Sequence, residues 1–274
     1  MGLARGHDVA VVNPMRCAIL LGADAPVVLH AGEPLAAHDA VVSRLGGRPG
    51  GHAFAIARQL ELGGTYCVNR TEAIARARDK MCTLQRLAAQ GLPVVPTAVA
   101  HRVADVRLAF ERLGGPPVVV KIVDGTQGAG VALVESLAAA ESVVEALLAA
   151  HRHVLLQEFI PHASDMRLFV VGRRVVAGMR RVARAGNFRA NIHQGGTGEA
   201  LNPDDAQRAL ALSAAAALGL EIAGVDLLET PAGPVVVEVN ASPGLEGIES
   251  ASGRNVAGAI VQFVESKVRE RQPV

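Results

Sequence analysis

The sequence predicts an α/β fold built from α+β lobes, and three observations carry that prediction. Short apolar and β-branched runs alternate with helices of apolar spacing over roughly the first 150 residues. Residues 153–240 are then dominated by strand-like runs, and a helix spans about 255–271. Half of the 274 residues are hydrophobic but only 3% are aromatic (six Phe, one Tyr, no Trp), so the core must be filled by Val, Leu, Ile and many Ala.

The composition also excludes several classes. High apolar content with a net charge of +1 rules out disorder for most of the chain. The longest uncharged stretches, such as 210–220, fall well short of the roughly 18–20 apolar residues of a membrane span. Nucleic-acid binding by base stacking lacks its aromatic platforms. Cys17, Cys67 and Cys82 are odd in number and show no CxxC spacing, which fits reduced, partly buried thiols in a cytoplasmic protein. No charged n-region followed by an apolar h-region opens the chain.

In order, residues 1–70 read as strands around a helix. Strands are expected at 9–12 and 40–42, a hairpin between Cys17 and Pro34, and a helix over 54–62 stopped by Gly63 and Gly64. Thr71 is expected to cap a helix through Arg76, Arg78, Asp79 and Lys80 to Gln90, with room for a break. A strand at 97–100 and a helix at 103–113 precede strand 118–123, the glycine loop GTQGAG, strand 131–134 and a long helix capped by Ser136. Further strands are expected at 154–158, 166–171 and 175–181, the last two joined by Gly172-Arg173-Arg174. A polar, Gly-rich loop covers 184–198 and a helix 204–218, before strands 222–228 and 235–239.

Those last two strands carry the most informative chemistry. With the turn centred on Ala232, Asp226 falls opposite Glu238, and Asn240 shares the face of Glu238. Opposed carboxylates among Val and Leu repel and are costly to bury; a divalent cation would relieve both problems, and an all-oxygen set suits Mg²⁺. The wet face of a sheet would account for the same pattern. Lys121, inside a β-branched run, is either an edge residue reaching solvent or a cation aimed at an anion. The loop Gly125-Thr126-Gln127-Gly128-Ala129-Gly130 has neither Walker A nor GxGxxG spacing; it is either a plain hairpin turn or a backbone cradle for phosphate. Between Arg167 and Gly198 lie seven arginines (167, 173, 174, 180, 181, 184, 189) and no Asp or Glu. This segment reads as a solvated basic hairpin, as a bidentate site for phosphate or carboxylate, or as a nucleic-acid surface, the last without the helix-in-groove motif it would need. The nine histidines show no HExxH spacing, and no GxSxG or Cys/His pairing suggests a covalent nucleophile.

Taken in order, ARARDK (75–80), VVVKIVDGTQGAGV (118–131), LLQEFI (155–160), DMR (165–167), NFRAN (187–191), AGVDLL (223–228) and VVVEVNASPGLEGIE (235–249) resemble the ATP-grasp ligases, specifically RimK-type α-L-glutamate ligases. The resemblance covers about 69–265 and is weaker before that. It implies an ATP-grasp fold with an N-terminally shortened, Rossmann-like pre-ATP-grasp domain (1–70), a central lobe with a glycine lid (71–155) and a C-terminal lobe with metal and substrate residues (156–274). It implies that Lys80 and Lys121 contact ATP phosphates. Gln157, Glu158, Phe159 and Ile160 would hold adenine, and Asp165, with Arg167 beside it, would lie near the ribose. Gly125, Thr126, Gln127 and Gly128 would belong to the lid. Asp226, Glu238 and Asn240 would hold two Mg²⁺ (or Mn²⁺), and Arg180, Arg189 and Asn191 would face the γ-phosphate and the activated carboxylate.

The implied reaction forms an amide through an acyl phosphate, adding L-glutamate to a carboxylate acceptor, the C-terminus of a small-subunit ribosomal protein. A cytoplasmic homo-oligomer without membrane or direct nucleic-acid partners is implied with it. An amino-group carrier protein or a cofactor carboxylate as acceptor, and a non-catalytic ATP-binding regulator, are the alternatives. Three positions depart from the family pattern in the substrate segment: Met179 where Glu is expected, Ala190 for Ser and Gln194 for Arg. The family opens with a full βα unit, of which about 20 residues have no counterpart here. The expectation is an upstream start or an N-terminal sheet with an exposed edge, with 2–6 as the tail of the absent helix.

Overall fold

In the computed structural model, residues 1–22, 25–45, 51–123, 130–161, 164–182 and 197–271 are described. Their strands form four sheets. The expected hairpin is a three-stranded antiparallel sheet of β1 (Cys17–Leu20), β2 (Val27–His30) and β3 (Glu33–Pro34). β4 (Ala40–Val42) and β5 (Tyr66–Val68) pair in parallel on either side of α1 (His52–Leu62), as one βαβ unit.

The expected strand at 9–12 is not formed. Val11 is 95% exposed and the segment lies in no ladder; an apolar run without a partner strand has nowhere to place its backbone hydrogen bonds. Ahead of it, Leu3–Arg5 is a single 3-10 turn, and Arg5 and His7 both reach Glu265 at 2.7 Å.

The charged helix breaks as expected, into α2 (Thr71–Arg78) and α3 (Lys80–Ala89). Asp79 is extended and its side chain accepts from Cys82 N at 2.9 Å, restarting the helix. Thr71 does not cap α2 with its own side chain. The carboxylate of Glu61 does so from a distance, accepting from Thr71 N at 3.0 Å and Thr71 Oγ1 at 2.9 Å.

β6 (Thr97–Ala100), α4 (Val106–Arg112), β7 (Val118–Ile122), β8 (Val131–Val134), α5 (Leu137–Ala149) and β9 (Val154–Glu158) follow. The strands form an antiparallel sheet in the order β6-β9-β7-β8. One face packs Val118, Val120 and Leu156 on Phe110 of α4 and Val144 of α5. Strand alternation leaves Thr97, Lys121, Leu155 and Gln157 on the other.

The last sheet has the order β12-β11-β10-β13-β14, from β10 (Ser164–Val171), β11 (Arg174–Val182), β12 (Thr197–Ala200), β13 (Ile222–Thr230) and β14 (Gly233–Asn240). Between β12 and β13 runs α6 (Asp205–Leu218), opened by a capping box of Asp204 and Gln207 and closed by Gly219 in the left-handed region. Met166, Leu168, Val225 and Leu227 bury one face of the sheet against Leu210, Ala214 and Leu218 of α6. On the opposite face, Phe169 and Met179 pack with Tyr66 and Val68, with Ile248 of α7 (Glu246–Ser252) and with Ile260 of α8 (Val256–Arg271). No helix among the described residues is long and apolar enough to cross a membrane.

Candidate active site

The cleft-facing side of β7 and β9 supplies a cation and its neutral partner. Lys121 Nζ donates to Gln157 Oε1, and Gln157 Nε2 donates to Thr97 Oγ1 at 2.8 Å. Burial pushes the Lys121 ammonium down to about 8, against the upward pull of Glu238; nearby Lys80 lowers it further. Lys80, the first residue of α3, donates from Nζ to the Val123 carbonyl at 3.3 Å. Lys80, Lys121, Gln157 and Glu238 line one cavity between the four- and five-stranded sheets. Residues from four separated segments of sequence therefore converge. Glu158 lies at the end of β9, and its backbone N–H is already bonded to Pro96 O at 2.9 Å; Phe159 and Ile160 follow it.

On β13 and β14, Asp226 does face Glu238, although the geometry differs from the expected one. The connection is the two-residue turn of Pro231 and Ala232, which alone would pair Asp226 with Val237. A one-residue bulge between Asp226 and Leu227 shifts the register and restores Glu238 as its partner.

The charge of Asp226 is also handled differently from the sequence argument, which left a repulsion for a cation to relieve. Asp226 is 3% exposed, and its two oxygens accept from Arg167 Nε and Nη2, both at 2.7 Å. Arg181, also 3% exposed, adds Nη2 at 3.0 Å and holds Asp165 through two bonds of 2.6 Å. Burial alone would raise the Asp226 pKa, but Arg167 and Arg181 overcome it and hold the carboxyl below its usual range. For Asp165 burial prevails and the pKa is raised despite Arg181. Two arginines and two aspartates thus form a charge-balanced quartet on β10, β11 and β13, with Arg181 and Asp226 buried and Asp165 and Arg167 partly exposed.

Arg180 is the main correction. Alternation along β11 turns Arg181 to the face of Asp226 and sends Arg180 to the opposite face, where its Nη1 donates to Ser164 Oγ at 3.1 Å. A run of adjacent arginines gives no phase, so the sequence could not tell which would point inward, and Arg181 was missed for that reason; Thr97 carried no signal in the sequence that would have marked it. Gly125, Thr126, Gln127, Gly128, Arg189 and Asn191 lie outside the described residues.

A metal ion is tested by the donors themselves. Glu238 and Asn240 sit two apart on one face of β14, and Asn240 Nδ2 is buried without a hydrogen-bond partner. Turned over, the Asn240 amide would put its oxygen where Nδ2 now stands unpaired, on one face with the Glu238 carboxylate, and that pair of oxygen donors fits an oxygen-seeking ion. Asp226 fits only if it shares its oxygens with the arginines. Among the described residues, no group of three or more His, Cys, Asp and Glu is arranged as a metal site.

Comparison with known proteins accounts for this arrangement. The RimK-like ATP-grasp domain matches residues 77–264 and the RimK pre-ATP-grasp domain residues 1–74. A Coxiella burnetii protein named "Probable alpha-L-glutamate ligase" is 43% identical over 269 residues, covering 97% of this chain and 89% of its own length. The structure of a RimK domain ATP-grasp protein from Sphaerobacter thermophilus is 33% identical, with a TM-score of 0.71 over 95% of this chain and 91% of that one. The ATP-grasp ligase PsnB, solved with a minimal precursor, Mg and ADP, shares the fold at 23% identity, with a TM-score of 0.76 over 97% of this chain and 92% of its own. The chain is a carbon–nitrogen ligase with the ATP-grasp fold, and it belongs to the RimK-like family.

Proposed function

We propose that the protein joins L-glutamate through its amine to a carboxylate acceptor, the C-terminus of a small-subunit ribosomal protein, at the expense of ATP. The observation that carries this reading is the shared cavity of Lys80, Lys121, Gln157 and Glu238 between two sheets. The glutamate ligase name of the Coxiella burnetii relative supports the choice of amino acid. In this reading 1–70, 71–155 and 156–274 act as three lobes of a cytoplasmic homo-oligomer.

The acceptor carboxylate attacks the γ-phosphorus of ATP, ADP leaves and an acyl phosphate forms. The amine nitrogen of glutamate then attacks the acyl carbon; phosphate leaves, a proton is lost from nitrogen and the amide remains. Lys80 and Lys121 bind and orient phosphate oxygens, and Gln157 holds the Lys121 ammonium in place. Gln157 to Ile160 border adenine, and Asp165 and Arg167 lie toward the ribose side. By the family resemblance, Gly125 to Gly128 would exclude water, and Arg189 and Asn191 would act on the transferred group. Glu238 and Asn240, with Asp226, would hold two Mg²⁺ or Mn²⁺, which would supply charge neutralisation of the phosphates.

Incubation with ATP, Mg²⁺, glutamate and candidate acceptor proteins tests the proposal. ADP release together with an acceptor mass gain in glutamyl steps is expected; ATP binding without acceptor-dependent ADP release would leave a nucleotide-binding regulator instead. Glu238→Gln should abolish turnover while the melting profile is kept.

A further inference from the structure

Among the described residues the arginines fall into those that meet a carboxylate and those, Arg44 among them, whose hydrogen-bond partner is a neutral oxygen. Arg5, Arg70, Arg76, Arg102, Arg167 and Arg181 each meet a carboxylate. Arg44, two residues beyond β4, meets none among the described residues. Among the described residues its one hydrogen bond runs from Nη1 to the Pro243 carbonyl at 2.7 Å. Arg44 is exposed at the surface, although the chain around it desolvates the guanidinium enough to lower its pKa, and no acidic neighbour among the described residues offsets this.

Its position is set from two sides. Ser43 N donates to Val68 O at 2.9 Å, and Ser242 Oγ donates to Ser43 O at 3.4 Å, latching the end of β4 onto the loop after β14. That loop lies against β13 because Gly224 has no side chain: a Cβ there would stand 2.7 Å from Pro243 Cβ. The guanidinium is therefore held against Pro243, three residues past Asn240, in a cavity separate from the one that Lys80 and Lys121 line. This cavity of about 120 Å³, with Val42, Ala241, Leu245 and Ile260 in its wall, leaves room for a short aliphatic stem. Guanidinium has five donors in a planar fork that matches a carboxylate, and one hydrogen bond leaves most of them available.

We propose that Arg44 binds a carboxylate of the incoming amino acid and so holds its amine toward the acyl phosphate formed near Asn240. This inference rests on the function proposed above. It separates the work of the cations: the lysines take the nucleotide and Arg44 takes the nucleophile.

Steady-state kinetics on the full chain with Arg44→Ala and Arg44→Lys test it, varying glutamate, ATP and acceptor in turn. The expected result for Arg44→Ala is a rise in the glutamate KM of about 10–100-fold, the scale of a lost charge-assisted hydrogen bond, with the ATP and acceptor KM values within about twofold of wild type. Arg44→Lys should recover part of the loss, and both variants should melt like wild type. Glutamine and glutamate α-amide distinguish the two carboxylates: the amide that wild type rejects and Arg44→Ala accepts as well as glutamate marks the one Arg44 binds. An unchanged glutamate KM, or a rise confined to ATP or acceptor, overturns the inference alone. A wild-type protein without glutamate-dependent ADP release overturns both this inference and the function beneath it.

Discussion

Lys121, partly buried on the four-stranded sheet, and Asp226, buried on the five-stranded sheet, are charges in opposite surroundings. Lys121, on the four-stranded sheet, has a neutral amide as its hydrogen-bond partner and is pushed down to about 8. Asp226, on the five-stranded sheet, is locked by two arginines and held below the ordinary carboxylate range in spite of its burial. Nearby Glu238 does not offset the burial of the first charge, which is left underpaired. The second is neutralised within the fold, and it would meet a metal ion only by sharing its oxygens with the arginines. A buried charge is thus evidence of ligand binding where the chain leaves it underpaired, and evidence of scaffolding where the chain completes it.

The contrast breaks first at Arg181. Arg181→Met leaves Asp165 and Asp226 sharing Arg167, and unfolding in denaturant should show a loss of about 3–5 kcal/mol, the usual cost of removing one partner from a buried ion pair. Lys121→Met should behave in the opposite way. Its unfolding midpoint at pH 7 should stay level or rise, while nucleotide affinity by calorimetry falls about 10–100-fold. If the two variants lost stability equally, the distinction between scaffold and underpaired charge would be wrong.

A packing change comes next. Gly224→Ala drives a Cβ into Pro243 and should cost about 1–3 kcal/mol, read as a lower melting point.

The pH dependence sharpens the Lys121 side. Its folded pKa of about 8 lies below its ordinary value of 10.5, so protonation of the folded protein is disfavoured. Its penalty on stability is therefore full below pH 8 and relieved as pH rises from 8 toward 10.5. Phosphate binds the protonated form. Nucleotide affinity should accordingly fall as pH rises through about 8, and binding near pH 8 should take up protons, measurable as a buffer-dependent heat. The smallest effect belongs to the N-terminal segment: Val11→Ser, at an exposed position outside every sheet, should change stability by less than about 0.5 kcal/mol.

Much of the fold was legible because its signals are local. The break at Asp79, the cap at Ser136, the hairpin at Gly172 and the stop at Gly219 are each made by residues within a few positions of one another. The run 9–12 has the right composition for a strand but lies beside no other strand, and composition does not supply a partner. The opposition of Asp226 and Glu238 was legible from hairpin counting, although it rests on a bulge that the counting did not contain.

By itself, then, the sequence determined which residue types could do this chemistry and in what order they occur: the motifs from Lys80 to Asn240, the caps and turns, and an aliphatic core. Only the tertiary structure decided which charges are completed. Whether Arg180 or Arg181 faces Asp226 depends on the phase of β11 against β10 and β13. Whether Arg44 stands beside Pro243 depends on how β4 and β5 dock against the C-terminal sheet. Phase and docking are set by long-range packing, because a two-residue strand repeat is indifferent to which face is called inside until a second layer covers it.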